Sequence, residues 1–247
     1  MWALDEKIKK QFRMRSSEFD VSAQWISDKN LIDFHIKLSG NPAGKALDLC
    51  CGTGQIGRAL KKQGWDVTGL DICDSMVTKA SDYFPVIRGD AQQIQSMSNS
   101  FHLVVCRQAF QFLDVERTLS EILRILTPNG IFVVSLTVPF SDVDAPWLYK
   151  IHRLKQPLLK NFLTADDLVN AIERVHFSIE TIKKLRVRES INTWMDYAPE
   201  LSREVRNNVI AMIKDAPSSY KQLHNVEIND GELFEDWQWV VIKAIKG

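Results

Sequence analysis

The stretch K-A-L-D-L-C-C-G-T-G-Q-I-G, from Lys45 to Gly57, decides the fold of this 247-residue chain. It begins as a short apolar run, typical of a buried strand, that Asp48 interrupts. A glycine-rich turn at 52–54 follows, and an amphipathic helix begins directly after it. A strand, a tight turn and a helix in this order indicate a cradle for a nucleotide-type cofactor. The reason is that glycines let the backbone approach a ligand closely, and a helix start offers free N–H groups.

The composition excludes several classes of protein. Lys and Arg together number 31, as do Asp and Glu, so the formal net charge is zero. A general nucleic-acid binder carries a basic excess, so we expect no nucleic-acid partner. No apolar run approaches the roughly 20 residues of a membrane span, and we expect a cytoplasmic protein without a membrane span. The four cysteines form no C-x-x-C pair, so we predict reduced thiols and no metal site.

The pattern of strands and helices predicts an α/β fold. Short apolar runs alternate with amphipathic helices along most of the chain, which is typical of a parallel sheet covered on both faces. The predicted strands span residues 46–50, 66–70, 85–88, 101–106, 131–136, 177–187 and 236–245.

The domain organisation follows from where this alternation breaks down. Residues 1–40 are predicted to form an N-terminal helical arm or lid, and residues 41–247 a cofactor-binding α/β domain. Helical insertions are expected at about 138–162 and 190–224, and with the arm they are the candidates for a lid over the site.

Three acids indicate the charge of the ligand. Asp71 ends the second predicted strand, where a carboxylate can accept hydrogen bonds from both ribose hydroxyls of a nucleoside. Asp90 follows the third strand. The turn matches the G-x-G-x-x-G pattern of NAD sites, but Asp48 would repel a pyrophosphate, and the chain offers no second mononucleotide-binding half. A cationic nucleoside such as S-adenosylmethionine, with its ammonium and sulfonium groups, suits three acids better.

Four strings in this order carry a family resemblance: LDLCCGTG, GLDICDSM, RGDA and EILRILTPNG. They resemble the class I S-adenosylmethionine-dependent methyltransferases, over roughly residues 40–137. The resemblance is closest to the small-molecule branch, methyltransferase type 11, which includes the ubiquinone- and menaquinone-biosynthesis type. It implies a Rossmann-like, doubly wound, mostly parallel seven-stranded sheet with an antiparallel last strand and helical lid insertions.

The resemblance also implies which positions bind the cofactor. These are Asp48, Cys50, Gly52, Gly54, Asp71, Ile72, Met76, Asp90, Ala91, Arg107 and Gln108. The positions from Asp48 to Gly54 would lie at the methionine moiety. Asp71 would hold the ribose hydroxyls. Adenine would be met by Ile72, Met76, Asp90 and Ala91, and Arg107 and Gln108 would face the methyl group and the acceptor. Cys50 departs from the family, which usually has a glycine there.

The function implied is in-line methyl transfer to the oxygen, nitrogen or carbon of a small-molecule acceptor. The candidate catalytic residues are Arg107, at a strand's carboxyl end, and Tyr149 and His152 in the first insertion. A His or Tyr in such a segment is more often structural than catalytic.

Other functions stay open at this point. One alternative is a non-catalytic or partner-dependent S-adenosylmethionine-binding protein. An RNA methyltransferase is disfavoured by the neutral charge and by residues 106–109, which are not an Asn/Asp-Pro-Pro-aromatic tetrad. An NAD-binding oxidoreductase is disfavoured by the three acids. The sequence indicates neither the acceptor nor the oligomeric state.

Overall fold

A computed structural model describes residues 2–42 and 44–247 of the chain, with side chains from residue 6 onward. Met1 and Ala43 fall within the two predicted units and lie outside the described residues. In the described part, the strands are β1 (Lys45–Leu49), β2 (Asp66–Asp71), β3 (Val86–Arg88), β4 (Phe101–Arg107), β5 (Leu126–Val138), β6 (Phe177–Ser190), β7 (Glu227–Asn229) and β8 (Glu232–Lys246).

Helices surround these strands. They are α1 (Trp2–Arg15), α2 (Gln24–Ser27), α3 (Lys29–Leu38), α4 (Gln55–Gln63), α5 (Asp74–Ser81), α6 (Val115–Ile125), α7 (Ala145–Lys155), α8 (Ala165–Arg174), α9 (Ile191–Asp196), α10 (Arg203–Lys214) and α11 (Ser218–Leu223). A 3₁₀ turn, Ser16–Val21, joins α1 to α2, and a second one, Phe110–Phe112, follows β4. No α-helix within the described residues combines the length and apolar character needed to cross a bilayer.

The strands form one sheet in the order β3-β2-β1-β4-β5-β8-β6. Neighbouring strands from β3 to β5 run parallel, and β8 lies antiparallel between β5 and β6. The predicted fold class is therefore confirmed. The short strand β7, which pairs with β8, was not predicted. The signal for it is Asp230-Gly231, whose φ angles of 50° and 84° suit a two-residue hairpin turn.

Both faces of the central strands β1 and β4 are buried, which explains why these strands are almost entirely apolar, whereas the edge strand β6 is largely exposed and carries charged side chains. In β4, Leu103 and Val105 point into one core cluster, and Val104 and Cys106 point into the other. This double burial leaves the carboxyl ends of the strands as the edge of the parallel sheet at which a ligand can bind.

The two predicted insertions are helical and lie against each other. Helix α7 forms within residues 138–162, and α9, α10 and α11 form within residues 190–224. The indole N–H of Trp147 on α7 donates to the carbonyl of Met212 on α10 at 3.2 Å. The N-terminal segment packs in the same region, because α2 contacts β6.

Candidate functional site

A cavity of about 1030 Å³, including the part open to solvent, lies at the carboxyl ends of β1, β2 and β4. We call it the first cavity. All but one of the cofactor-binding positions predicted from the sequence line it: Asp48, Cys50, Gly52, Asp71, Ile72, Met76, Asp90, Ala91, Arg107 and Gln108. The exception is Gly54, which caps α4 with φ 85° and turns toward the core, where a Cβ would lie 2.9 Å from Phe84 Cζ.

Asp48 is a carboxylate inside a buried strand, and only 3% of its surface is exposed. The Gly57 N–H donates to Asp48 Oδ2 at 2.7 Å. Burial raises the pKa of Asp48 to about 7, although this hydrogen bond and the charge of Arg107 act in the opposite direction. Position 57 must be glycine because a Cβ there would lie 2.3 Å from Phe84 Cζ and 2.9 Å from Asp48 Oδ2. The glycine thus lets the helix start approach the strand closely.

Asp71 holds the glycine turn in place. The Gly52 N–H donates to its Oδ2, and the Cys73 N–H donates to its Oδ1, both at 2.9 Å. Burial raises the pKa of Asp71, and these hydrogen bonds act in the opposite direction. Each carboxylate oxygen has capacity for a further hydrogen bond. Asp71 can therefore shape the turn and bind a ligand hydroxyl at the same time.

Asp90 is the third acid of the first cavity. It follows β3 and accepts hydrogen bonds from the backbone N–H and the side-chain amide of Gln92, at 2.9 and 3.0 Å. Together with Asp48 and Asp71, it brings carboxylates from the ends of three strands to one cavity. An arrangement of this kind attracts a cation and disfavours a diphosphate.

The turn itself is built from left-handed backbone. Gly52 has φ 54°, and Cys50 has φ 56°, a conformation that is unusual for a residue with a side chain. This explains why a glycine is common at position 50 in the family that the sequence resembles. A hydrogen bond with Cys106 and burial raise the pKa of the Cys50 thiol, so it remains protonated.

Arg107 and Gln108 follow β4 and line the first cavity. The guanidinium of Arg107 donates to the carbonyls of Trp25 and Ile26, at 3.1 and 3.2 Å, and lies 5.0 Å from the centre of the Trp25 indole. The side-chain amide nitrogen of Gln108 donates to the Thr137 hydroxyl at 3.0 Å, and its amide oxygen accepts the backbone N–H of Thr137 at 2.8 Å. In this arrangement Arg107 holds the N-terminal segment over the site.

A second anchor of the N-terminal segment comes from β6. Glu189 is fully buried and accepts hydrogen bonds from the N–H groups of Gln24 and Trp25, at 2.8 and 2.7 Å. Burial raises its pKa to about 8. The hydroxyl of Thr53, in the glycine turn, also donates to Asp20. No local pattern predicts these contacts, because the partners lie 33 to 165 positions apart.

A second cavity, of about 980 Å³ with its open part, adjoins the first. Both share a wall formed by Phe12, Phe19, Trp25, Gln108 and Phe112. The sequence candidates Tyr149 and His152 line the second cavity rather than the first. The structure therefore places Arg107 in one cavity and the other two candidates in its neighbour, and Phe12, Phe19 and Trp25 of the N-terminal segment line both.

The polar atoms of Tyr149 and His152 are buried. Neither the Tyr149 hydroxyl nor His152 Nε2 has a hydrogen-bond partner among the described residues. The His152 ring packs against two indoles, 5.4 Å from Trp194 and 5.2 Å from Trp237, whose rings lie 4.9 Å from each other. Burial lowers the pKa of His152 to about 3 and raises that of Tyr149 to about 12, so both are neutral near pH 7.

Comparison with known proteins defines the class to which this fold and site belong. A methyltransferase-domain family matches residues 47–134. The demethylmenaquinone methyltransferase of Staphylococcus haemolyticus is 30% identical over 170 residues, which cover 62% of this chain and 68% of the relative. The chain therefore belongs to this methyltransferase family, and the resemblance to class I S-adenosylmethionine-dependent methyltransferases is confirmed.

Other relatives match a shorter part. YqeM of Bacillus subtilis is 32% identical over 112 residues, 41% of this chain. The chain spans 45% of the length of YqeM and 48% of an uncharacterised methyltransferase-like protein of Schizosaccharomyces pombe.

Solved structures share the fold over most of the chain. The YcgJ protein of Bacillus subtilis superposes with a TM-score of 0.79 at 19% identity, covering 87% of this chain and 97% of YcgJ. The geranyl diphosphate C-methyltransferase of Streptomyces coelicolor, solved with S-adenosylhomocysteine, has a TM-score of 0.62 at 15% identity, covering 89% and 79%.

Proposed function

We propose that the chain binds S-adenosylmethionine in the first cavity and transfers its methyl group to a small-molecule acceptor in the second cavity. The observation that carries this proposal is the meeting of Asp48, Asp71 and Asp90 around one glycine turn, beside a second cavity that shares an aromatic wall. The family assignment supports the methyl transfer.

The residues of the first cavity fit a cationic nucleoside. Asp48 offers a buried carboxylate to a positive group, and Asp71 offers acceptor oxygens suited to ribose hydroxyls. Ile72, Met76 and Ala91 supply apolar surface for a purine. Gly52 lines this cavity with backbone at φ 54°, a conformation that favours glycine, so no side chain of this residue stands between the turn and a ligand.

When bound, the cofactor would supply a methyl group carried on a sulfonium. The acceptor's electron pair would form the new bond to the methyl carbon, and the sulfur–methyl bond would break to leave a neutral thioether. The chain then has to align the acceptor and exclude water. Phe12, Phe19, Trp25 and Phe112 line both cavities, and Arg107 and Glu189 fix Trp25 there, so apolar side chains that can exclude water lie where the two cavities meet. An acceptor oxygen or nitrogen must also lose a proton, and the neutral imidazole of His152 lines the acceptor cavity as the candidate base, although burial lowers its pKa to about 3 and so makes it a weak one.

Calorimetric titration tests the cofactor assignment. We expect S-adenosylmethionine and S-adenosylhomocysteine to bind and NAD to give no heat, because a diphosphate would face three carboxylates. Binding of NAD without binding of either S-adenosyl compound would overturn the proposal in favour of the oxidoreductase alternative.

Two parts of the sequence interpretation stay predictions. A non-catalytic or partner-dependent cofactor-binding protein is distinguished from an enzyme by turnover with a panel of small acceptors, which only the enzyme would show. The division into an arm at 1–40 and a domain at 41–247, and the cytoplasmic location, are likewise predictions.

A further inference from the structure

One face of helix α7 carries polar side chains into the second cavity. Tyr149, His152 and Lys155 follow each other at a spacing of three, which places them along one side of the helix, and Gln156 directly follows Lys155. All four line the second cavity. A helix face that packs inside a protein is ordinarily apolar, so this polar face indicates a ligand with polar groups of its own.

Lys155 is the most unusual member of this face. Only 6% of its surface is exposed, and its ammonium nitrogen lies 4.5 Å from the centre of the Trp194 ring. Among the described residues Lys155 forms no ion pair. Its pKa is lowered, chiefly by burial and next by the charge of Arg15, while Glu200 and Glu189 act in the opposite direction. A buried lysine of this kind gains stability from an anion that reaches it.

No neighbouring carboxylate pairs with Lys155 among the described residues. Arg15 also lines the second cavity, but it is paired with Glu200. The carboxylate of Glu200 accepts a hydrogen bond from the Nε–H of Arg15 at 2.7 Å and another from the side-chain amide of Gln11. No Asp or Glu of the described residues lines the second cavity. The two cavities therefore differ in charged groups, because the first has three carboxylates beside the guanidinium of Arg107, and the second has the basic side chains of Arg15 and Lys155 without a carboxylate.

Other polar atoms at this cavity also lack partners. The Tyr149 hydroxyl, His152 Nε2 and the amide oxygens of Gln111 and Gln156 are buried, and none has a hydrogen bond within the described part of the chain. An unpaired buried polar group costs roughly 1–3 kcal/mol, so a bound molecule that pairs with several of them is favoured. The hydroxyl can donate to an anionic oxygen, as can the imidazole in the tautomer protonated on Nε2.

Much of the remaining cavity wall is aromatic, beside aliphatic side chains such as Leu136 and Leu148. Phe12, Phe112 and Phe162 line it together with the indoles of Trp194 and Trp237. Aromatic side chains pack best against flat apolar bodies, by stacking or by edge contacts.

From this arrangement we propose that the second cavity takes a flat, largely apolar acid, whose carboxylate binds to Lys155 with the Tyr149 hydroxyl as a further donor. The inference rests on the proposed function, because it assigns the class of the methyl acceptor. It concerns the binding of the acceptor only, and its test does not require turnover.

The test compares two molecules of the same shape, 2-naphthoate and the neutral 2-naphthamide, by calorimetric titration at pH 7 into protein saturated with S-adenosylhomocysteine. We expect the acid to bind more tightly than the amide by roughly ten- to hundredfold, as is typical of a hydrogen bond to a charged group. Lys155→Gln should abolish this preference. Lys150→Gln, on the exposed side of the same helix, is the matched control and should retain it.

The outcomes separate this inference from the proposed function. Equal binding of acid and amide to the wild-type chain, no binding of either, or an undiminished preference in Lys155→Gln would overturn the inference. The wild-type comparison needs no variant, so it holds even if Lys155→Gln fails to fold. Binding of S-adenosylhomocysteine without a preference for the acid leaves the proposed function standing. If S-adenosylhomocysteine does not bind, the titrations are made on the protein alone. A preference for the acid in that case supports the anion site and refutes the proposed function.

Discussion

Replacing Asp71 by asparagine separates the two tasks that the structure gives to this side chain. In the folded chain its two carboxylate oxygens accept the N–H groups of Gly52 and Cys73, each at 2.9 Å. Asparagine keeps the shape but offers one oxygen, so one of these N–H groups would face an amide N–H₂. A hydrogen bond to a charged group is worth about 1.5–3 kcal/mol. The desolvation that raises the pKa of Asp71 offsets part of that, so we expect the lower half of this range.

The loss should appear in both stability and binding. For a domain of this size, about 2 kcal/mol corresponds to a fall in Tm of roughly 4–8 °C. The loss of a charged acceptor for the ribose hydroxyls should weaken S-adenosylhomocysteine binding by about 1.5–3 kcal/mol, which is roughly ten- to hundredfold in Kd. Scanning calorimetry measures the first effect and titration calorimetry the second.

Asp66→Asn is the matched control, because Asp66 begins the same strand and is exposed at its other end. We expect its free energies of unfolding and of ligand binding to stay within about 0.5 kcal/mol of those of the wild-type chain, as for most surface substitutions. A folded Asp71→Asn chain with the wild-type Kd would refute the role at the ribose. An unchanged Tm would refute the account of how the glycine turn is held.

Two further predictions concern acids whose pKa is raised by burial. The pKa of Asp48 is about 7, so the ammonium group of S-adenosylhomocysteine binds its ionised form, and we expect the Kd of this ligand to rise by up to about tenfold per unit as the pH falls below 7. Titrations from pH 6 to 8 measure this, and a dependence as steep in Asp48→Asn as in the wild-type chain would exclude Asp48 as its source. Glu189→Ala should speed hydrogen exchange of the amides of Gln24 and Trp25, because both lose their acceptor. Glu189→Gln, which keeps one oxygen, should change it less, and equal exchange rates in all three chains would contradict the anchoring role.

Much of the fold could be predicted from local patterns. Apolar runs bounded by turn residues gave the strands of the parallel half, and the helix between β1 and β2 ends at Gly64, as a glycine after an amphipathic stretch indicates. The hairpin of β7 and β8 was missed although Asp230-Gly231 is a strong local signal for it.

Much of the lining of the first cavity was predictable, and its acidic part follows from strand positions alone. Asp48, Asp71 and Asp90 each follow from a position on or just after a strand, and parallel strands bring their carboxyl ends to one edge. The partners of Arg107 and the burial of Lys155 were not predictable, because they depend on how the N-terminal segment and α7 pack over that edge.

The sequence by itself determined the glycine turn, the strands that carry the three carboxylates and the charge of the ligand that they suit. Only the tertiary structure decided that β8 lies between β5 and β6, that Glu189 anchors Trp25, and that the polar face of α7 lines a second cavity. The physical reason is the range of the forces involved. Helix and strand periodicity depends on neighbours within a few residues, whereas these contacts join residues 44 to 164 positions apart or depend on which faces become buried together.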